Sequence, residues 1–145
     1  LGVEGTCPVD AHWIYYPDPE LPFYRVGFPS NFSPGTAPPG CYAMYVEVSR
    51  ERVPEDVAGL EALVRDGLKR VGLLPAGTRI VAEAPVVIPH GYVIYDRHRR
   101  AAVPRLLSEL RARGCISTGR YGAWEYGAME TAIAQGLAAA AASAP

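Results

Sequence analysis

The chain has 145 residues, of which 49% are hydrophobic and 20% are charged, a composition typical of a folded domain rather than a disordered segment. Its formal net charge is -1, so no overall positive field attracts it to nucleic acid or to an anionic membrane surface. No apolar run approaches the roughly twenty residues that a membrane-spanning helix needs. Binding of any ligand is therefore expected to depend on local groups.

Cysteine usage indicates the redox environment. Cys7, Cys41 and Cys115 are widely spaced and form no CxxC pair, which favours reduced thiols in a cytoplasmic protein. The histidines have no recurring metal-ligand spacing, so no metal site is predicted.

The N-terminal third is predicted to be β-structure. The segments His12–Tyr16 and Phe23–Phe28 are rich in aromatic and β-branched residues, and the proline-rich stretch 17–22 between them predicts an antiparallel pair. After a loop rich in proline, glycine and serine at 29–40, residues 41–49 alternate between apolar and smaller or polar side chains. This alternation predicts a strand with one buried face.

A helix is predicted from Pro54 to Val71, because proline suits its first position and Gly72 follows its end. Its apolar residues share one face and should cover a sheet: Val57, Leu60, Val64, Leu68 and Val71. Residues 78–88 then predict a strand, and 92–95 further extended structure.

The remaining elements complete the predicted order. Asp96 can cap a helix that runs from about Ala101 to Gly114, with Pro104 in its first turn. The apolar run 115–118 predicts a last strand, followed by the glycine turn 119–122 and an alanine-rich helix from about Trp124. The fold class predicted is α+β: a mixed, largely antiparallel sheet with helices packed on one face.

The last junction has a possible chemical role. A strand that meets a helix at a glycine turn exposes backbone N–H groups and the positive end of the helix dipole, which suits an electron-rich or anionic ligand. The alternative is a tight turn that only connects two elements. Likewise, the basic run Arg97–Arg100 is either a patch for a phosphate-bearing substrate or a solvated helix start.

These residues resemble a known superfamily. Gly119-Arg120-Tyr121-Gly122, with Trp124, Glu125, Tyr126 and Met129 after it, is similar to the C-terminal signature of FAD-dependent oxidoreductases of the amine oxidase, protoporphyrinogen oxidase and UDP-galactopyranose mutase superfamily. Further segments resemble the substrate domain of its mutase-like group: His12–Tyr16, Phe23–Val26, Phe28–Asn31, Glu47–Ser49 and Tyr92–Asp96.

The resemblance implies a division of the chain and a set of site residues. Residues 1–113 would form a substrate-binding domain, and 114–145 a strand and flavin-facing helix that belong to the FAD domain. The implied substrate-binding residues are Arg25, Tyr92 and Tyr95, and no catalytic residue is assigned. The implied FAD-binding residues are Gly119, Arg120, Tyr121, Gly122, Trp124, Tyr126 and Met129.

Three functions remain open. The resemblance implies first an oxidoreductase in which a small-molecule substrate gives a hydride to the flavin. It implies second a non-redox mutase of a nucleotide sugar, although Ala128 and Glu130 stand where the mutase pattern has aspartates. The third is a free-standing binding module without flavin.

The sequence lacks a GxGxxG fingerprint with an acid about twenty residues further on, the motif that holds the ADP part of FAD. Since the chain also begins at Leu1, we expect a C-terminal fragment of a longer flavoprotein, whose partner is the missing N-terminal half. By itself the fragment should hold no FAD and be inactive. The face that carries Trp124, Met129 and Ile133 should then be uncovered, with self-association as a consequence.

Overall fold

The computed structural model describes residues 1–143, so the last two residues of the predicted C-terminal segment lie outside it. The chain divides into two compact units, Leu1–Pro89 and a second that begins at His90. This boundary differs from the predicted division at 113, which concerns membership of a larger protein and stays a prediction. Within residues 1–143, no helix is long and apolar enough to cross a membrane.

Six short strands in the first unit form two antiparallel sheets. They are β1 (Gly2–Glu4), β2 (Trp13–Tyr15), β3 (Arg25–Gly27), β4 (Cys41–Ala43), β5 (Tyr45–Glu47) and β6 (Ile80–Ala82). One sheet has the order β4-β1-β6 and the other β2-β3-β5. The α+β fold class is confirmed, but the predicted single mixed sheet is two antiparallel sheets.

The break between the sheets lies at Met44. The predicted strand 41–49 is divided there, because the N–H and carbonyl of Met44 bond to the carbonyl and amino group of Leu1, at 2.9 and 2.8 Å. β4 then pairs with β1, with Val3 opposite Tyr42, while β5 pairs with β3, with Val26 opposite Val46. One continuous segment therefore contributes to both sheets.

Helix α2 (Val57–Arg70) packs on the core of this unit. Its predicted apolar face is confirmed by Leu68, which is fully buried, and by Val64 and Val71, which pack against the core. Gly67, outside that predicted face, leaves no room for a side chain beside Phe23. The helix begins later than predicted because Asp56 is its N-cap and accepts a hydrogen bond from the N–H of Gly59 at 2.8 Å. The core consists of Val3, Leu21, Phe23, Val26, Phe28, Tyr42, Met44, Leu68, Leu73 and Leu74.

The connections of the first unit include two short helical segments, α1 (Pro29–Phe32) and a 3₁₀ turn (Pro34–Thr36). The strand predicted over 78–88 is limited to β6. The part of the predicted strand that lies between Pro85 and Pro89 is not in β6, and its Val86 and Ile88 are 79% and 64% exposed. Proline cannot donate to a sheet, so this segment has no ladder to join. Residues 92–95 also form no strand.

The described residues of the second unit form three helices, α3 (Arg99–Ala112), α4 (Gly119–Gly122) and α5 (Met129–Ser143). α3 starts before the predicted Ala101, which places Pro104 inside the helix rather than in its first turn. The N-cap is His98 rather than the predicted Asp96, but the Asp96 carboxylate accepts the N–H groups of His98 and Arg99 at 2.9 and 2.8 Å and so still satisfies donors at the helix start.

Two predictions for the C-terminal segment are wrong. Residues 115–118 form no strand, because the described residues offer them no partner strand and the N–H of Cys115 instead closes the end of α3 at the carbonyl of Leu110. The glycine segment 119–122 is a single helical turn, and the long helix starts at Met129, five residues after the predicted Trp124.

Candidate functional site

Three tyrosines of the second unit meet around Tyr126 and are called here the tyrosine cluster. The ring centre of Tyr126 lies 4.9 Å from that of Tyr95 and 6.2 Å from that of Tyr92. The N–H of Tyr126 donates to the hydroxyl of Tyr95 at 2.9 Å, and this hydrogen bond holds the two residues together. About half of each side chain is exposed, so the cluster presents an aromatic wall.

Arg120 lies beside this wall. Its guanidinium carbon is 5.5 Å from the centre of the Tyr92 ring, within the range of a cation–π contact. One guanidinium nitrogen donates to the carbonyl of Gly127 at 3.0 Å. Among residues 1–143, no carboxylate comes within 4.0 Å of this guanidinium. The positive charge is therefore available to an anionic or electron-rich ligand.

Arg120 lies in the segment 119–127, which begins with the single turn α4 and is called here the Arg120 loop. Gly119 has φ +82°, a conformation that favours glycine, and a side chain there would meet nothing within 4 Å. The N–H of Glu125 donates to the carbonyl of Arg120 at 2.9 Å. The backbone on either side of the arginine is thus held in place.

Trp124 and Tyr121 attach this loop to the segment that carries the tyrosines. The indole N–H of Trp124 donates to the carbonyl of Ile94 at 3.2 Å, and its own carbonyl accepts from Nε of Arg99 at 2.8 Å. The hydroxyl of Tyr121 donates to the carbonyl of His90 at 2.5 Å, and the carbonyl of Gly91 lies 3.2 Å from it. Trp124 has φ +50°, which costs about 1–3 kcal/mol outside glycine. Its hydrogen bonds hold it in this conformation.

The other predicted FAD-binding residues lie at the edges of the loop. A side chain at Gly122 would come within 2.9 Å of the hydroxyl of Ser117 and 3.3 Å of the Ser117 backbone, so it would displace that hydroxyl from its hydrogen bond to the carbonyl of Gly122. Met129 is the first residue of α5 and is 83% exposed. With Ile133 and Leu137, which are 65% and 68% exposed, it forms an apolar stripe along the helix.

Arg25 belongs to the first unit and has a different environment. Antiparallel register places it between Tyr15 on β2 and Glu47 on β5. It donates to Glu47 through Nε at 2.9 Å and to the hydroxyl of Tyr15 at 3.0 Å. The hydrogen bond to Glu47 raises the pKa of Arg25 above its ordinary value. Its charge is therefore already compensated, unlike that of Arg120.

Next to β2 in the same unit, three rings stack at the surface. His12 lies over Phe32 with ring centres 3.9 Å apart, and Trp13 lies 5.8 Å from the same ring. Trp13 and Tyr15, both on β2, are about half exposed. Sequence reasoning did not single out Phe32, although its place in a Pro/Ser-rich loop beside an aromatic strand was a usable signal.

A groove of about 420 Å³ lies on the apolar face of α3. Val103, Leu106 and Leu110 line it together with Tyr121 and Trp124. Arg120 and the tyrosine cluster are not part of its lining, whereas Tyr121, Gly122 and Trp124 of the predicted FAD-binding set are. The described residues also contain no group of three histidine, cysteine, aspartate or glutamate side chains that could hold a metal ion.

No family model matches this chain. Among solved structures, it is similar to a crystal structure of a reduced UDP-galactopyranose mutase, with 31% identity and a TM-score of 0.87 over 95% of the chain. Over this range it has the fold of that mutase. The chain spans 31% of the length of the mutase chain. The similarity supports the resemblance to the FAD-dependent oxidoreductase and mutase superfamily, whereas the specific likeness to amine oxidases and protoporphyrinogen oxidases stays a prediction.

Proposed function

We propose that this chain is the substrate-facing part of an FAD-dependent enzyme, in which a longer polypeptide completes the cofactor site. The observation that carries the proposal is the uncompensated charge of Arg120 beside the tyrosine cluster. Catalytic sites place fixed cations where negative charge has to be stabilised, and exposed aromatic rings can form the wall beside a planar group. The similarity to a mutase over nearly the whole chain supports the same interpretation.

The residues present fit one end of FAD. Arg120 would offer a cation and N–H donors to the flavin, and Tyr126 and Met129 lie close by in sequence, just before and at the start of α5. The ADP end finds no glycine fingerprint in this sequence. Residues outside the chain would hold that part of the cofactor.

The first candidate chemistry is oxidation of a small molecule. FAD, when bound, supplies the hydride acceptor. The part of this chain would be to hold the substrate and exclude water, with Tyr92 and Tyr95 as the wall, and to hold negative charge at the guanidinium of Arg120. Arg25 is a weaker candidate for an anionic substrate group, because it would have to exchange or share Glu47.

The second candidate is non-redox isomerisation of a nucleotide sugar. Its support is the 31% identity with a UDP-galactopyranose mutase. Against it, Ala128 replaces an aspartate of the mutase pattern and offers no carboxylate to a sugar hydroxyl. Two assays of the complete protein separate the candidates. Anaerobic bleaching of the flavin by amine or porphyrinogen substrates supports the oxidoreductase, and conversion of UDP-galactopyranose supports the mutase.

Arg120→Ala in the complete protein tests the assignment common to both. Loss of a charge-assisted contact should cost about 1.5–3 kcal/mol, which corresponds to roughly a tenfold to hundredfold loss of FAD affinity. Arg111→Ala is the matched control, since Arg111 is an exposed arginine on α3 of the same unit and lies outside the basic run 97–100. Equal FAD affinity of the two variants, measured by titration of the apoprotein, would exclude Arg120 from the cofactor site.

A further inference from the structure

The side chain of Gln135, on α5, forms hydrogen bonds with Gly119 and Glu125, which lie on either side of Arg120 in the Arg120 loop. Its carbonyl oxygen accepts the N–H of Gly119 at 2.8 Å and lies 3.5 Å from the hydroxyl of Thr118. Its amide group donates to the carboxylate of Glu125. The residue is only partly exposed, and both the donor and the acceptor of its amide are used.

The contact with Glu125 affects the charge of the site. Glu125 and Arg120 line the same small cavity of about 20 Å³, and the N–H of Glu125 donates to the carbonyl of Arg120 at 2.9 Å. The two side chains are opposite in charge and close along the loop, yet they form no ion pair within 4.0 Å. The carboxylate is bonded to Gln135 instead, and the guanidinium to the carbonyl of Gly127.

We propose that Gln135 is a positioning residue that holds the Glu125 carboxylate away from Arg120 and so keeps the arginine charge available to an anionic ligand. Without the amide donor, Glu125 would exchange a neutral partner for the nearby cation. An ion pair between the two would compete with the ligand for Arg120. This inference rests on the proposed function, since it assigns Gln135 a part in the same site.

The variant Gln135→Met keeps the length of the side chain and a good helix former but removes both polar groups. In the complete protein, titration of the apoprotein with FAD should show about a threefold to tenfold loss of affinity, equivalent to about 0.7–1.4 kcal/mol. The double variant Gln135→Met/Glu125→Gln should restore affinity to within about twofold, because no carboxylate remains to pair with Arg120. Glu125→Gln alone should bind FAD at least as tightly as the unmodified protein.

Rescue by the second substitution separates positioning from a structural role. If Gln135 only stabilises the loop, the double variant should bind FAD no better than Gln135→Met, and the proposal is then wrong. It is equally wrong if Gln135→Met binds FAD as the unmodified protein does while Arg120→Ala does not. Should Gln135→Met fail to fold, Gln135→Ala provides the same comparison.

A second measurement does not depend on the cofactor. In a crystal structure of the ligand-free Gln135→Met protein, a carboxylate oxygen of Glu125 should lie within about 4 Å of the Arg120 guanidinium, the ion-pair distance. An unpaired Glu125 in that structure would overturn the positioning role. If Arg120→Ala leaves FAD affinity unchanged, the proposed function fails, and this distance still decides whether Gln135 separates the two charges.

Discussion

Leu68→Ala tests how much of the first unit depends on the docking of α2. Leu68 is fully buried among core side chains, and the substitution removes three buried carbons and leaves a cavity in the core. At about 0.8 kcal/mol for each buried carbon the transfer term is about 2.4 kcal/mol, and the cavity left behind raises the loss to about 3–5 kcal/mol. At roughly 0.05–0.15 kcal/mol per residue, Leu1–Pro89 would have a stability of about 4–13 kcal/mol, so the loss is a large share.

Thermal unfolding followed by circular dichroism measures this loss, and the melting temperature should fall by at least about 12 °C if each kcal/mol costs about 4–8 °C in a unit of this size. Leu63→Ala is the matched control on the same helix, because Leu63 is 59% exposed and should cost less than about 1 kcal/mol. A loss below about 1.5 kcal/mol at Leu68, or equal losses at both leucines, would refute the docking of α2 on this core.

Gly67→Ala should lower the urea midpoint of unfolding, because the new carbon would lie 2.9 Å from the ring of Phe23 in the core. Gly136→Ala should instead raise stability by about 0.5–1 kcal/mol, because Gly136 lies on α5 with open space beside it. The hydrogen bond from Arg79 lowers the pKa of Glu4, so its stabilising effect is present above the usual carboxyl pKa and is lost as pH falls through the lowered value. Arg79→Met should return that pKa to its usual range in a carboxyl NMR titration. The chain alone should be colourless near about 450 nm, and any bound flavin absorbance would contradict this. The unmodified chain should self-associate in sedimentation experiments, and Ile133→Glu should abolish this association. An unmodified chain that is strictly monomeric would contradict the prediction.

Helix α2 could be predicted because its signals are local. Asp56 caps its start, its apolar residues recur at helical spacing, and Gly72 with φ +75° follows its end. None of these depends on a distant part of the chain. All the sequence signals that define such a helix lie within about twenty consecutive residues.

Strand assignments failed where the hydrogen-bonding partner is remote. Residues 41–49 do alternate, but the pattern contains no signal that Met44 forms its backbone hydrogen bonds with Leu1, where the segment passes from one sheet to the other. The apolar run 115–118 likewise resembles a strand until the absence of a neighbouring strand in the described structure is known. A strand needs a neighbouring strand to pair with, and the alternation of apolar and polar residues does not show which segment that is.

The site was only partly accessible for a similar reason. Arg120 and the tyrosines are conspicuous residue types in a motif, so the resemblance named them as candidate site residues, and that assignment stays a prediction. Glu125 and Gln135 are ten residues apart on a loop and a helix, and polar residues on a helix usually face solvent. An amide in the middle of an alanine-rich helix was the signal that could have identified Gln135.

The position of β1 determines when the first unit can finish folding during synthesis. Gly2 and Val3 on this strand pair with Ala82 and Ile80, near the end of the unit, as well as with β4. The sheet β2-β3-β5 needs only residues up to Glu47 and can assemble earlier on the ribosome. The sheet that contains β1 cannot close until β6 has left the exit tunnel. At about 5–20 residues per second, the first residues therefore wait roughly 4–16 s for their last partner.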